Sequence, residues 1–234
     1  MARLTGVIGG SNLYSTFLFR EAKRKVVETA FGQAEMYFTE NIAFIPRHGS
    51  GRNIPPHRIN HRANLSALSE AGVSKVVGLC MAGSLKKSIK PPAIVIPHDY
   101  ISFQDVPTFF DDKLVHITPR LDETLRGQIR KTASKNRIRI FDNGVYVQTR
   151  GPRLETEAEV RVLKEYADIV GMTMASEATL AQELDMGYAA LCSVDNYANG
   201  IANNPLDFRR ILKDAESHNS LLLRLLLKTL EDLK

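Results

Sequence analysis

The chain has 234 residues, 44% of them apolar and 24% charged, which suits one well-buried domain spanning 1–234 and is short for two. Its net charge of +5 comes from scattered residues, with short clusters only at Lys23-Arg24-Lys25 and Lys86-Lys87, and no basic stripe interleaved with aromatics points to nucleic acid. No apolar run reaches the roughly 18 residues of a membrane span, and no signal-peptide pattern opens the chain, so we expect a cytoplasmic protein.

In chain order, Leu4 to Ile8 is a predicted strand ending at Gly9-Gly10-Ser11, and Ile42 to Ile45 another, ending at Pro46-Arg47-His48-Gly49. Helical spacing of apolar and small residues predicts a helix from about His57 to Ala71. Lys75 to Leu79 is a predicted buried strand ending at Ala82-Gly83-Ser84, and Ala93 to Ile96 is bounded by prolines. An amphipathic helix over Asp122 to Asn136 is followed by strands at Arg139 to Phe141 and Tyr146 to Gln148. Then come a helix over Glu157 to Tyr166, a short strand over Ile169 to Gly171, a helix over Ala175 to Leu184 and a strand over Ala189 to Val194. Asn204-Pro205 is a good helix start, and the last helix runs close to Lys234. Alternating strands and helices predict an α/β fold. Cys80 and Cys192 fall in apolar strands, as buried free thiols do. No Cys/His spacing suggests a metal; His57 and His61, four apart, lack a matching carboxylate or cysteine and read as surface or packing residues.

Several strand ends carry groups suited to an anion, and in α/β sheets ligands bind beyond strand ends. Gly9-Gly10-Ser11 offers backbone N–H groups and a hydroxyl, though such a turn is also a common structural device. Arg47 offers a fork that matches phosphate, with His48 beside it; a surface ion pair is the plainer use. Glu155, in Gly151-Pro152-Arg153-Leu154-Glu155-Thr156, precedes a helix and would complement its dipole if it did nothing else. Thr173 follows Gly171-Met172, and Asn196 and Asn199 follow the last core strand, where turn residues are ordinary.

Each segment alone is weak, but their succession resembles the methylthioadenosine/methylthioinosine phosphorylase branch of the trimeric purine nucleoside phosphorylase family. The segments are Ile8-Gly9-Gly10-Ser11, Arg47-His48-Gly49, Asn60-His61-Arg62-Ala63-Asn64, Ala82-Gly83-Ser84-Leu85, Val95-Ile96-Pro97, Gly151-Pro152-Arg153, Gly171-Met172-Thr173 and Ser176-Glu177. The resemblance implies a mixed twisted sheet, partly barrel-like, flanked by helices. It implies phosphate-dependent cleavage of purine nucleosides, with phosphate as co-substrate and no cofactor or metal. Phosphate would be held by Ser11, Arg47, His48 and Thr173, and Met172 would lie against the ribose. Cys80-Met81 stands where the family has Thr or Asn before a small residue, which leaves the Met81 amide as the contact there.

For the base, the resemblance points to Asn196, Glu155 and Leu154. Adenine-specific relatives carry aspartates at the positions of Asn196 and Ala198, and commonly Ser at that of Glu155. An amide accepts from N7–H and donates to O6 of a 6-oxopurine, and a carboxylate accepts N1–H; adenine offers no proton at N1. We therefore expect methylthioinosine, inosine or guanosine as substrates, with Asn196, Glu155 and His48 as catalytic groups. Asp195, next to Asn196, would occupy the pocket if the alignment moved by one. His116 matches a family histidine that reaches a neighbouring subunit's site, in a trimer or a hexamer of two trimers. The alternatives are a methylthioadenosine phosphorylase, a nucleoside hydrolase that uses water, and a non-catalytic nucleoside-binding module.

Overall fold

The first strand, β1 (Thr5–Gly9), is buried along its whole length. It pairs in parallel with β4 (Ile42–Pro46) on one side and β5 (Lys75–Ser84) on the other, which is why these segments read as continuous apolar runs. The computed structural model describes residues 4–10, 22–51, 53–202 and 208–233, with backbone alone for 208–218. The helix start expected at Asn204-Pro205 lies outside the described residues.

Beyond β4 lies a hairpin of β2 (Lys23–Thr29) and β3 (Gly32–Phe38), antiparallel to each other, with β3 antiparallel to β4. On the other flank the sheet forks at β5. One branch is β10 (Gly187–Tyr197), parallel to β5, with the short antiparallel β6 (Ala93–Val95) on its far side. The second branch is β9 (Ile169–Gly171), antiparallel to the end of β5, followed in parallel by β8 (Val145–Gln148) and β7 (Asp99–Ser102). The result is the expected α/β fold, a mixed sheet of ten strands among the described residues.

The helices are α1 (His61–Glu70), α2 (Glu123–Lys135), α3 (Glu157–Tyr166), α4 (Met174–Glu183) and α5 (Phe208–Asp232). The two-residue period of a strand sorts the core. Val76 and Cys80 of β5, with Tyr188, Ala190 and Cys192 of β10, pack with Leu65, Leu68, Met174 and Ala178 of α1 and α4. Val77, Leu79, Ala189 and Leu191 face the other way, against Leu125 and Ile129 of α2 and Leu222, Leu225 and Leu226 of α5. Val160 and Leu163 of α3 pack on Val147 and Val170.

Four expectations are corrected. The first helix begins at His61, not His57: Asn60 caps it, accepting from Ala63 N at 3.0 Å, and Pro56–Arg58 is a separate 3-10 turn. β5 and β10 run past their expected ends, because each pairs with the other as far as Ser84 and Tyr197. The expected strand at Arg139 to Phe141 is reduced to an isolated bridge between Phe141 and Val95. The β2–β3 hairpin and β7 had no counterpart in the sequence reading. Cys80 and Cys192 are free and buried, as expected.

Candidate active site

In register, Gly9 of β1 lies opposite Pro46 of β4 and Leu79 of β5. Gly10 and Arg47 therefore leave the sheet at the level of Cys80, where β5 continues. Arg47 is 2% exposed. Its Nε donates to Glu177 Oε1 at 2.5 Å and its Nη2 to Oε2 at 2.8 Å, while Nη1 donates to Leu79 O at 2.7 Å. Nη2 also lies 3.7 Å from Cys80 Sγ. Burial works against the guanidinium charge, but Glu177 outweighs it and holds the arginine pKa above its ordinary value. One Nη1 proton is left without a partner among the described residues.

That nitrogen faces Gly10. A Cβ on Gly10 would lie 3.2 Å from Arg47 Nη1 and 3.9 Å from His48 Nε2, so the missing side chain leaves room for something small beside both. His48 Nδ1 is 2.7 Å from Ile54 O. A carbonyl only accepts, so Nδ1 carries the proton and the neutral ring turns an Nε2 lone pair toward the same space. Burial, and then the charge of Arg47, push the His48 pKa down.

Thr173 arrives from the other side. It occupies the cap position of α4 yet makes no side-chain cap bond; its hydroxyl points instead to Cys80 Sγ at 3.8 Å. The opening turn of α4 is satisfied by others. Tyr146 Oη accepts from Thr173 N and Met174 N at 3.3 and 3.5 Å, and Gln148 Oε1 accepts from Ser176 N at 3.1 Å. Cys80 thus has Arg47 on one side and Thr173 on the other. The Cys192 thiol and Arg47 favour its thiolate and draw its pKa down against the effect of burial.

A second group adjoins the first through Met172. A Cβ on Gly151, at φ +67°, would lie 2.5 Å from the Met172 sulfur, so only glycine lets this loop close on the methionine. The loop leads to Glu155, 7% exposed, whose Oε1 accepts from Thr149 Oγ1 at 2.6 Å. The helix-capping role open to Glu155 is taken by Thr156 and Glu159, which form a capping box. Asn199 Nδ2 donates to Glu155 O at 3.3 Å, which ties the end of β10 to this loop. The β10 register shifts between Val194 and Asn196, putting Asn196 opposite Gly83. A bulge of this kind re-aims side chains: a Cβ on Gly83 would lie 3.3 Å from Asn196 Nδ2. The neighbouring Asp195 carboxylate accepts from Ser193 Oγ at 2.7 and 2.8 Å.

The fold therefore brings Arg47 and Thr173 to either side of Cys80 with His48 beside Gly10, and a strip that starts at Met172 runs through the Gly151 loop and Glu155 to Asn199 and the end of β10 that carries Asn196. Met81 is half-buried, its carbonyl 3.0 Å from where a Cβ on Gly171 would sit. Leu154 is half-exposed, and His116 is exposed on the connection between β7 and α2. Ser11 lies outside the described residues. Two cavities of about 470 Å³ each lie apart from this strip, one around Lys90, Arg139 and Ser193, the other around Arg120 and Gln182. Sequence reasoning assigned no role to Glu177, Tyr146 or Tyr188. The one signal was Ser176-Glu177 among the matched segments; its partner Arg47 is 130 positions away.

A sequence profile described as the phosphorylase superfamily matches residues 5–231. A protein of Archaeoglobus fulgidus described as "Probable 6-oxopurine nucleoside phosphorylase" is 43% identical over 92% of this chain and 90% of its own. A protein of Methanocaldococcus jannaschii described as "Probable S-methyl-5'-thioinosine phosphorylase" is 37% identical over 94% of this chain and 89% of its own. The solved methylthioadenosine phosphorylase of Schistosoma mansoni, in complex with adenine, superimposes with a TM-score of 0.89 at 24% identity, covering 98% of this chain and 91% of its own. At that identity it speaks for the fold.

Proposed function

Because the chain belongs to the phosphorylase superfamily, we propose that it cleaves purine nucleosides with phosphate, favouring 6-oxopurines, and releases the free base and a (5-methylthio)ribose 1-phosphate. The observation that carries this reading is the convergence of Arg47 Nη1 and His48 Nε2 on Gly10, with the Thr173 hydroxyl arriving beside Cys80. A hydrolase has no need of such a cluster. The names of the two sequence relatives support the choice of base.

In this reading, phosphate sits among Ser11, Arg47, His48, Thr173 and the Met81 amide. One of its oxygens attacks the anomeric carbon as the bond to N9 breaks, through a transition state with ribosyl-cation character. Positioning and fixed dipoles supply much of the rate, since a prearranged donor needs no reorganisation when charge develops. The electron pair of the breaking bond goes to the purine. As the departing base takes up a proton from solvent at N7, Asn196 lowers the cost by accepting from that N7–H and donating to O6, and Glu155 accepts N1–H. Thr149 donates to one Glu155 oxygen, which leaves the other free to accept N1–H. Met172 lies against the sugar and Leu154 borders the base. No metal or organic cofactor takes part, and the enzyme works in the cytoplasm as a trimer or hexamer in which a neighbour's His116 completes the 5′ pocket.

The test is a panel of methylthioinosine, inosine, guanosine and methylthioadenosine, with and without phosphate. We expect cleavage to stop when phosphate is removed, and kcat/KM to be higher for methylthioinosine than for methylthioadenosine. Cleavage without phosphate would favour a hydrolase, and binding without base release a non-catalytic module. Asn196→Asp should reverse the base order, since a carboxylate cannot donate to O6 but accepts from an amino group; mismatched polar partners shift specificity by about 10² or more.

A further inference from the structure

A buried arginine facing an anion site would ordinarily present its two-pronged edge to the anion. Here that edge is already occupied. Glu177, fully buried, takes Nε and Nη2 of Arg47 with both carboxylate oxygens, and Leu79 O takes one proton of Nη1. What remains toward Gly10 is a single N–H. We propose that Glu177 is a positioning residue for phosphate: it fixes the rotation of the Arg47 guanidinium so that this one Nη1 proton faces Gly10, and it balances the arginine charge. The proposal rests on the phosphorolytic reading above.

The carboxylate is itself held. Tyr188 Oη donates to Glu177 Oε2 at 2.7 Å. Tyr188 reaches it only because β5 has a glycine at position 78, where a Cβ would lie 1.9 Å from the tyrosine oxygen and 3.1 Å from Oε2. Gly78, Tyr188, Glu177 and Arg47 form a chain from β5 through β10 and α4 to the end of β4. A plain core-stabilising pair would not need this apparatus, since apolar side chains of similar volume fill such a space at equal or better stability. What an apolar pair cannot do is aim an N–H. With the pair neutral overall and His48 uncharged, the described part of the site meets the anion with the oriented Arg47 N–H, not with net charge. Small errors in orientation should then weaken phosphate binding selectively.

Steady-state kinetics with each substrate varied in turn test this on Glu177→Gln, Glu177→Asp and Tyr188→Phe, with folding checked by circular dichroism and thermal melting. Glu177→Gln should raise the phosphate KM about tenfold or more while the nucleoside KM stays within twofold. Glu177→Asp restores the charge but shortens the reach, and should fall between it and the wild type. Tyr188→Phe, which removes one hydroxyl, should raise the phosphate KM two- to fivefold. If Glu177→Gln does not fold, Tyr188→Phe and Glu177→Asp decide the matter. An unchanged or lowered phosphate KM in the folded variants, or parallel changes in both KM values, overturns the proposal. If the wild type shows no phosphate-dependent cleavage at all, it is the assigned reaction that fails.

Discussion

His61 sits behind this ion pair, 7% exposed as a residue, with Nδ1 4.0 Å from Glu177 Oε1. That is too long for a hydrogen bond, and Nδ1 has no partner in the described structure. Burial first, then Arg47 and His48, push the His61 pKa down to about 3, against about 6.5 in an unfolded chain. The ring is therefore neutral when folded, and below about pH 6.5 the unfolded state binds more protons. Its contribution is intact above pH 6.5 and lost progressively as pH falls toward about 3, by on the order of 5 kcal/mol in full. His48 acts with the same sign. We expect His61→Phe to lose distinctly less stability than the wild type between pH 7 and pH 4 in urea titrations; parallel curves would exclude this account. The sequence reading took His61 for a surface or packing residue paired by spacing with His57. Burial settles it as the second, and the 3-10 turn removes the shared helix. Arg47, His48, Thr173, Glu155 and Asn196 could be singled out as candidates because they occupy ordered motifs at strand ends. Glu177 carried no local mark, since an acid's use depends on which distant cation the fold delivers to it.

At the scale of elements, the proposed reading has the start of α3 separate stability from specificity within two adjacent residues. Thr156 accepts from Glu159 N at 3.2 Å and Glu159 returns a bond to Thr156 N at 2.8 Å. Arg153 grips Glu159 with two nitrogens at 2.8 and 2.7 Å, and its bonds draw the Glu159 pKa down to about 2. Glu155, one position earlier, takes no part. Thr156→Ala should cost about 1 kcal/mol of stability and leave the ratio of kcat/KM for methylthioinosine over methylthioadenosine unchanged. Glu155→Gln should do the reverse, lowering that ratio at least tenfold with the melting temperature nearly unmoved. If both variants change both quantities together, cap and base contact are not separable. The boundaries of α3 and β9 were read closely because caps and apolar periodicity mark them. The β2–β3 hairpin was missed because β2 opens with Lys23-Arg24-Lys25 and is mostly exposed, so it shows no alternation. The extra length of β5 and β10 lies in small and polar residues whose extended shape comes from pairing with each other, which no local window contains.

For the whole molecule, the connection between β7 and α2 stands out. It holds Phe103, 66% exposed, Leu114, 92% exposed, and Val115, 45% exposed, followed by the exposed His116. Single exposed apolar residues are ordinary, but three large ones within thirteen positions ask to be covered. In the proposed assembly a second copy of the chain covers them, and this brings His116 toward a neighbour's site. The two features make separable predictions. Leu114→Asp buries a charge in the interface and should lower the mass measured by light scattering toward that of a monomer, with a loss of kcat/KM that grows on dilution. His116→Ala should keep the assembled mass and reduce kcat/KM mainly for nucleosides, since it alters only what reaches the 5′ end of the sugar. A wild-type protein that scatters as a monomer at micromolar concentration and retains full activity would end this reading. The strip from Arg47 to Asn196 would then have to close its 5′ side with residues of its own chain.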